Sequence, residues 1–187
     1  MKRRYLNHKT ISPAKHWGFI PDYLATSILD LDLNYLQENG IKALLIDLDG
    51  TVVNRGTFEV NKDISNHLAA ANIPIYIATN RPSSRDLKNL QDDVRASGVI
   101  HPRGFRGKPF PRYYLDALRD LDLEPTEVAM VGDSFIQDIL GANAAGLKTI
   151  AVQKFGTETK LGYKLQAWLE QRFINHISSR FRLVSSD

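Results

Sequence analysis

Two aspartates, Asp47 and Asp49, stand two residues apart where an apolar run ends, in ALLIDLDGTVV over residues 43–53. An Asp-Gly pair by itself is an ordinary turn. Three further polar features follow in order: Thr79-Asn80, Lys108 within GKPFPR, and Gly132-Asp133-Ser134 with Asp138 five residues after Asp133. Each is weak alone, but their order makes a chance set improbable. Hard carboxylate oxygens from Asp47 and Asp133 suit Mg²⁺, which binds through one or two carboxylates together with substrate phosphate and water. Asp49 and Asp138 complete the acidic set expected to hold the ion or its waters. Asp47 is the candidate nucleophile for a covalent aspartyl-phosphate. Asp49 is placed to protonate a leaving oxygen and then to activate water. Gly50 and Thr51 let the chain turn and offer backbone N–H groups to phosphate, while the Thr79 hydroxyl and the Asn80 N–H take further oxygens. Lys108 offsets charge that builds in the transition state.

These residues act together only if the chain brings them to one edge. Short apolar runs at 42–48, 73–79, 98–102, 127–133 and 148–153 read as strands, most without strict alternation, as suits strands covered on both faces. Helical patterns lie between them at 61–72, 83–97, 111–121 and 135–146, with Asn61 placed to cap, Pro111 at a first turn and Gly146 at a C-cap. The expected architecture is α/β, a mainly parallel sheet of about five strands between helices. Right-handed crossovers gather the strand C-termini on one edge, where such sheets build their sites. Residues 22–40 read as one or two helices ending at Gly40. Residues 160–181 read as a long amphipathic helix, basic on its polar face, with Trp168, Leu169, Phe173 and Ile177 among its apolar residues.

The motifs Asp47-x-Asp49-Gly-Thr, Thr79, Lys108 and Gly132-Asp133-x4-Asp138 resemble the four motifs of the haloacid dehalogenase (HAD) superfamily of phosphatases, over roughly residues 40–153. The resemblance implies the Rossmann-like HAD core, Mg²⁺ dependence and the aspartyl-phosphate route. The stretch WGFIPDYLATSILDLDLNYLQENGIKALLIDLDGTVV further resembles the YqeG-type family, whose members more often carry Asn where this chain has Gly50. Related proteins of this type include phosphatidylglycerophosphate phosphatases, which makes a phospholipid the expected substrate. A phosphorylation-receiver domain fits poorly, because no lone Asp ends the 98–102 run, and no GxGxxG follows the first strand to support a dinucleotide binder.

At 187 residues the length favours one domain spanning 1–187. The absence of cysteine excludes disulfides and thiolate chemistry and suits a reducing, cytoplasmic setting. The net charge of +3 is unevenly spread. Residues 1–20 hold five Lys/Arg and no acid, residues 154–187 hold six Lys/Arg against three acids, and the middle is acidic. Basic ends around an acidic centre suit an anionic partner and a cation respectively, so attachment to an anionic membrane surface is an expectation. No nucleic-acid partner is expected. Asp47 to Thr79 and Thr79 to Lys108 leave no room for an inserted cap domain, so the site is expected to be open. Arg103, Arg106 and Arg112 surround Lys108 in sequence and read as candidates for a second anionic group of the substrate, or as plain loop cations. Other readings are a protein phosphatase, a small-metabolite phosphatase, and a binding protein on this scaffold with little activity.

Overall fold

The structure, a computed structural model, describes residues 4–7, 18–153 and 182–185. Its strands are β1 (Arg4–Asn7), β2 (Tyr23–Ala25), β3 (Ala43–Asp47), β4 (Ile75–Ala78), β5 (Gly98–Ile100), β6 (Val128–Gly132), β7 (Lys148–Val152) and β8 (Arg182–Ser185). They form one sheet in the order β5-β4-β3-β6-β7-β2-β1-β8. The six strands from β5 to β2 run parallel, and β1 and β8 add antiparallel strands beyond β2.

Among the described residues, five α-helices accompany the sheet: α1 (Leu33–Glu38), α2 (Lys62–Ala69), α3 (Arg85–Asp93), α4 (Pro111–Leu121) and α5 (Gly141–Ala144), the last entered through a π-helical segment at Phe135–Leu140. Their starts follow local chemistry. The side chains of Asn61, Ser84 and Ser134 each accept a backbone N–H of the first turn, and Pro111 fills the first position of α4, where its missing N–H costs nothing.

The sheet is covered on both faces. Alternate residues of β3 point to opposite sides, so Leu44 and Ile46 join a core with Ile64, Leu68, Leu87 and Leu90, whereas Ala43 and Leu45 join one with Tyr113, Tyr114, Leu118 and Met130. That two-sided burial explains why these strands read as continuous apolar runs.

All five expected strands are present. The segment 22–40 departs from expectation, because its first residues pair as β2 beside β7 and do not coil. Asp22 anchors the pairing: its Oδ2 accepts the Thr149 N–H at 2.9 Å and its own N–H reaches Thr149 Oγ1 at 3.1 Å. Helix is confined to α1, preceded by a 3₁₀ turn at Ile28–Asp30. Between β3 and β4 lie a tight turn and α2, and between β4 and β5 lies α3, so neither connection carries a cap domain. The amphipathic helix expected at about 159–181 lies outside the described residues, as does most of the basic N-terminus. Among the described residues no helix is long and apolar enough to cross a membrane.

Candidate active site

Parallel pairing sets Asp47 beside Ala78 and Gly132 beside Ala151, so β3, β4 and β6 deliver Asp47, Thr79 and Asp133 to the same sheet edge. Lys108 enters from the segment that leads into α4. Its ammonium donates to Asp47 Oδ1 and to Asp138 Oδ1, the latter at 2.7 Å. The Lys108 and Asp138 side chains are each 1% exposed, so this pairing is fully desolvated. Asp138 Oδ2 accepts the Ser134 N–H at 3.0 Å. Gly132 makes room for that carboxylate, since a Cβ there would collide with it.

Asn80 positions Lys108 by an amide clamp. Its Oδ1 accepts the Lys108 N–H at 2.8 Å, and its Nδ2 donates to the Lys108 carbonyl at 3.0 Å. Sequence reasoning assigned Asn80 a backbone role, whereas the structure shows its side chain at work. Gly107 must be small for the same reason, because a Cβ would strike Asn80 Oδ1. The far side of the Lys108 segment is pressed closely too, for a Cβ on Gly141 would meet the Pro109 carbonyl.

Asp47, Asp133 and Asp138 each offer an oxygen, and the three lie within 4.8 Å of one another, all buried. Burial, then the neighbouring Asp138, push the Asp47 carboxyl up to about 7 against the pull of Lys108. Burial alone would lower Lys108, but Asp138 and Asp47 outweigh it and hold the ammonium well above its ordinary value. Arg55 Nη2 adds a second cation 3.8 Å from Asp133 Oδ2. Three buried carboxylates of this kind fit a hard divalent cation, which would lower the energy of their ionised forms.

Asp49, expected as a fourth acidic ligand, is not in that group. Its carboxylate is forked by Arg81, with Nε to Oδ2 at 2.8 Å and Nη2 to Oδ1 at 2.5 Å, and it also accepts the Gly56 N–H at 3.0 Å. Burial opposes these bonds but is outweighed, and the Asp49 carboxyl lies below its ordinary value. The Gly50 N–H, expected to face phosphate, donates to the Val53 carbonyl at 2.8 Å, and Gly50 adopts φ +89° to make that turn. Thr51 is buried, and its hydroxyl has no hydrogen-bond partner among the described residues. Thr79 Oγ1 accepts the Arg81 N–H at 3.0 Å and keeps its own proton to donate.

Two of the three arginines pair with acids of α4: Arg103, from the loop before it, with Asp120 at 2.6 Å, and Arg112, itself in α4, with Asp116 at 3.1 Å. Arg106 is exposed. Sequence reasoning passed over Arg55 and Arg81. Arg81 was within reach, since it directly follows Thr79-Asn80. Arg55 sits in a polar turn, with nothing local to single it out.

Known proteins resemble this chain over much of its length. A family model described as "HAD-hyrolase-like" matches residues 105–169. The chain is 23% identical over 169 residues to a "Probable phosphatase YqeG" of Bacillus subtilis, covering 87% of this chain and 93% of that protein. It is 33% identical over 138 residues to an "Acid sugar phosphatase" of Staphylococcus epidermidis, covering 70% of this chain and 51% of that protein. The chain thus spans nearly the whole Bacillus protein but about half of the staphylococcal one. Among solved structures, an uncharacterized protein from Corynebacterium glutamicum superposes with a TM-score of 0.50 at 21% identity, over 75% of this chain and 96% of that one, which speaks for the fold. Taken with the acidic cluster and its lysine, these matches indicate a phosphatase that is HAD-like over residues 105–169.

Proposed function

We propose that the protein hydrolyses phosphomonoesters with Mg²⁺, through a phosphoryl group carried on Asp47. The buried bridge from Lys108 to both Asp47 and Asp138 carries this reading, because it supplies one ammonium beside a carboxylate nucleophile in a desolvated, acid-lined pocket. Asp47, Asp133 and Asp138 would hold the ion, which when bound neutralises the acids and the incoming phosphate so that the two anions can approach.

An Asp47 oxygen attacks phosphorus, and the bond from phosphorus to the ester oxygen breaks. Asp49, ionised at rest, relays a proton of the phosphate monoester to the leaving alcohol. A water then attacks the same phosphorus, gives its proton to Asp49, and restores the Asp47 carboxylate as inorganic phosphate departs. Lys108 pulls Asp47 toward its ionised form and stabilises charge on the phosphoryl oxygens, and the Thr79 hydroxyl, with the buried Thr51 hydroxyl, donates to those oxygens. Asn80 keeps Lys108 in place.

For the substrate we favour a phospholipid monoester such as phosphatidylglycerophosphate. The YqeG-type resemblance and the uncapped site support that choice, as do Phe105, fully exposed between Arg103 and Arg106, and Phe110, 57% exposed beside the Lys108 segment. A membrane-facing site mouth on a peripheral protein would follow. A sugar phosphate is the competing substrate, favoured by the name of the staphylococcal relative. A panel of lipid, sugar and peptide phosphomonoesters, assayed with Mg²⁺ and with Asp47→Asn as control, decides between them. Turnover that survives Asp47→Asn removes the nucleophile from Asp47.

A further inference from the structure

Arg81 makes more directional contacts at the site than any role in charge balance requires. Its guanidinium forks Asp49 through Nε and Nη2, donates from Nη1 to the Thr57 carbonyl at 2.7 Å, and lies 4.5 Å over the ring of Phe58. Its own backbone is tied to Thr79 Oγ1. One side chain, 15% exposed, therefore joins the end of β4 to Asp49 and to the turn that follows it. A lysine could offer a point charge here, but not the planar fork together with the bond to Thr57.

The bonds also distinguish the two oxygens of Asp49. Oδ1 accepts from Arg81 Nη2 and from the Gly56 N–H, which fills its two lone-pair directions. Among the described residues, Oδ2 accepts only from Arg81 Nε. Oδ2 is thus the atom with capacity left to exchange a proton with an ester oxygen or a water.

We infer that Arg81 is a positioning residue for Asp49, holding its carboxylate so that Oδ2 alone faces the reacting phosphoryl group. This inference rests on the phosphatase reading above. A fork of this kind fixes the plane of the carboxylate, and misplacement of a proton-transfer group by about 1 Å costs on the order of 100-fold in rate.

The test measures kcat and KM for p-nitrophenyl phosphate with Mg²⁺ in the wild type, Arg81→Ala, Arg81→Lys, Asp49→Asn and the Asp49→Asn/Arg81→Ala pair, each checked for folding by circular dichroism and Tm. Arg81→Ala is expected to lower kcat on the order of 10- to 100-fold with KM changed by less than about 3-fold, and Arg81→Lys to remain impaired. Added guanidinium is expected to restore part of the Arg81→Ala rate. The double variant is expected to be no slower than Asp49→Asn alone, because both substitutions disable one unit. Should Arg81→Ala fail to fold, Arg81→Lys carries the same comparison, alone and paired with Asp49→Asn. A folded Arg81 variant with wild-type kcat, or losses that multiply fully in the double variant, overturns the inference while leaving the phosphatase intact. A wild type with no turnover dependent on Asp47 overturns both.

Discussion

Lys108 Nζ and Asp138 Oδ1 meet at 2.7 Å with both side chains 1% exposed, and the same ammonium also bonds Asp47. A single buried cation therefore serves two of the three clustered carboxylates, and removing it leaves them to repel one another without water. Lys108→Met is expected to destabilise the metal-free protein by about 3–5 kcal/mol, the usual cost of orphaning buried charge, and to abolish turnover. Urea unfolding in EDTA measures the first and steady-state kinetics the second. A stable, active Lys108→Met protein would place the charge compensation elsewhere.

The raised Asp47 carboxyl links stability to pH. Its value is about 7 in the folded chain, against about 3.9 for an unfolded aspartate. The folded chain thus holds a proton that the unfolded chain has released. The stability this gives is complete below about pH 4 and is lost as pH rises through about 7. In EDTA, unfolding free energy should fall across that window by at most about 1.4 kcal/mol per pH unit, and Asp47→Asn should flatten the slope.

Mg²⁺ should act in the opposite sense at neutral pH, because it favours the ionised acids. Saturation at about 100 times its dissociation constant is expected to stabilise the fold by about 2.7 kcal/mol, read as a rise in Tm. Asp133→Asn and Asp138→Asn should each shrink that rise, whereas Asp49→Asn should keep most of it, since Asp49 lies outside the acidic group.

Gly132→Ala places a methyl group against the Asp138 carboxylate. Overpacking of this sort costs about 1–3 kcal/mol, and here it also moves a group bonded to Lys108. The expected variant folds with a lowered Tm and binds Mg²⁺ weakly by calorimetry. Unchanged Mg²⁺ affinity would show that Asp138 can shift without consequence.

Asn80→Ala removes both arms of the clamp on the Lys108 backbone. The two polar backbone groups it leaves border the site, so the loss of stability is expected to be about 1–3 kcal/mol. Activity should fall further than stability accounts for, with kcat the affected parameter. Asn80→Asp keeps one acceptor and should recover only part.

Much of the molecule was legible from residue order. Strands such as β3, buried on both faces by Leu44 and Ile46 on one side and Ala43 and Leu45 on the other, carry an apolar signal strong enough to read locally. Helix starts at Asn61 and Pro111 were legible because such signals act within one turn. β2 was not, because three residues hold too little pattern, and its strand character comes from Asp22 gripping Thr149 far along the chain. The arginines around Lys108 left two readings open, a second substrate anion or plain loop cations, because local sequence does not show what a long side chain will pair with; in the fold Arg103 pairs with Asp120 and Arg112 with Asp116.

By itself the sequence determined which strand ends carry acid, hydroxyl and amide, and that a parallel sheet would bring them to one edge, because those properties follow from residue type and short-range periodicity. Only the tertiary structure decided how the charges are shared: Lys108 goes to Asp47 and Asp138, Arg81 to Asp49, and the Asn80 side chain to the Lys108 backbone. Such pairings depend on where side chains point once segments about 30 residues or more apart have folded together, and on which of them lose their water.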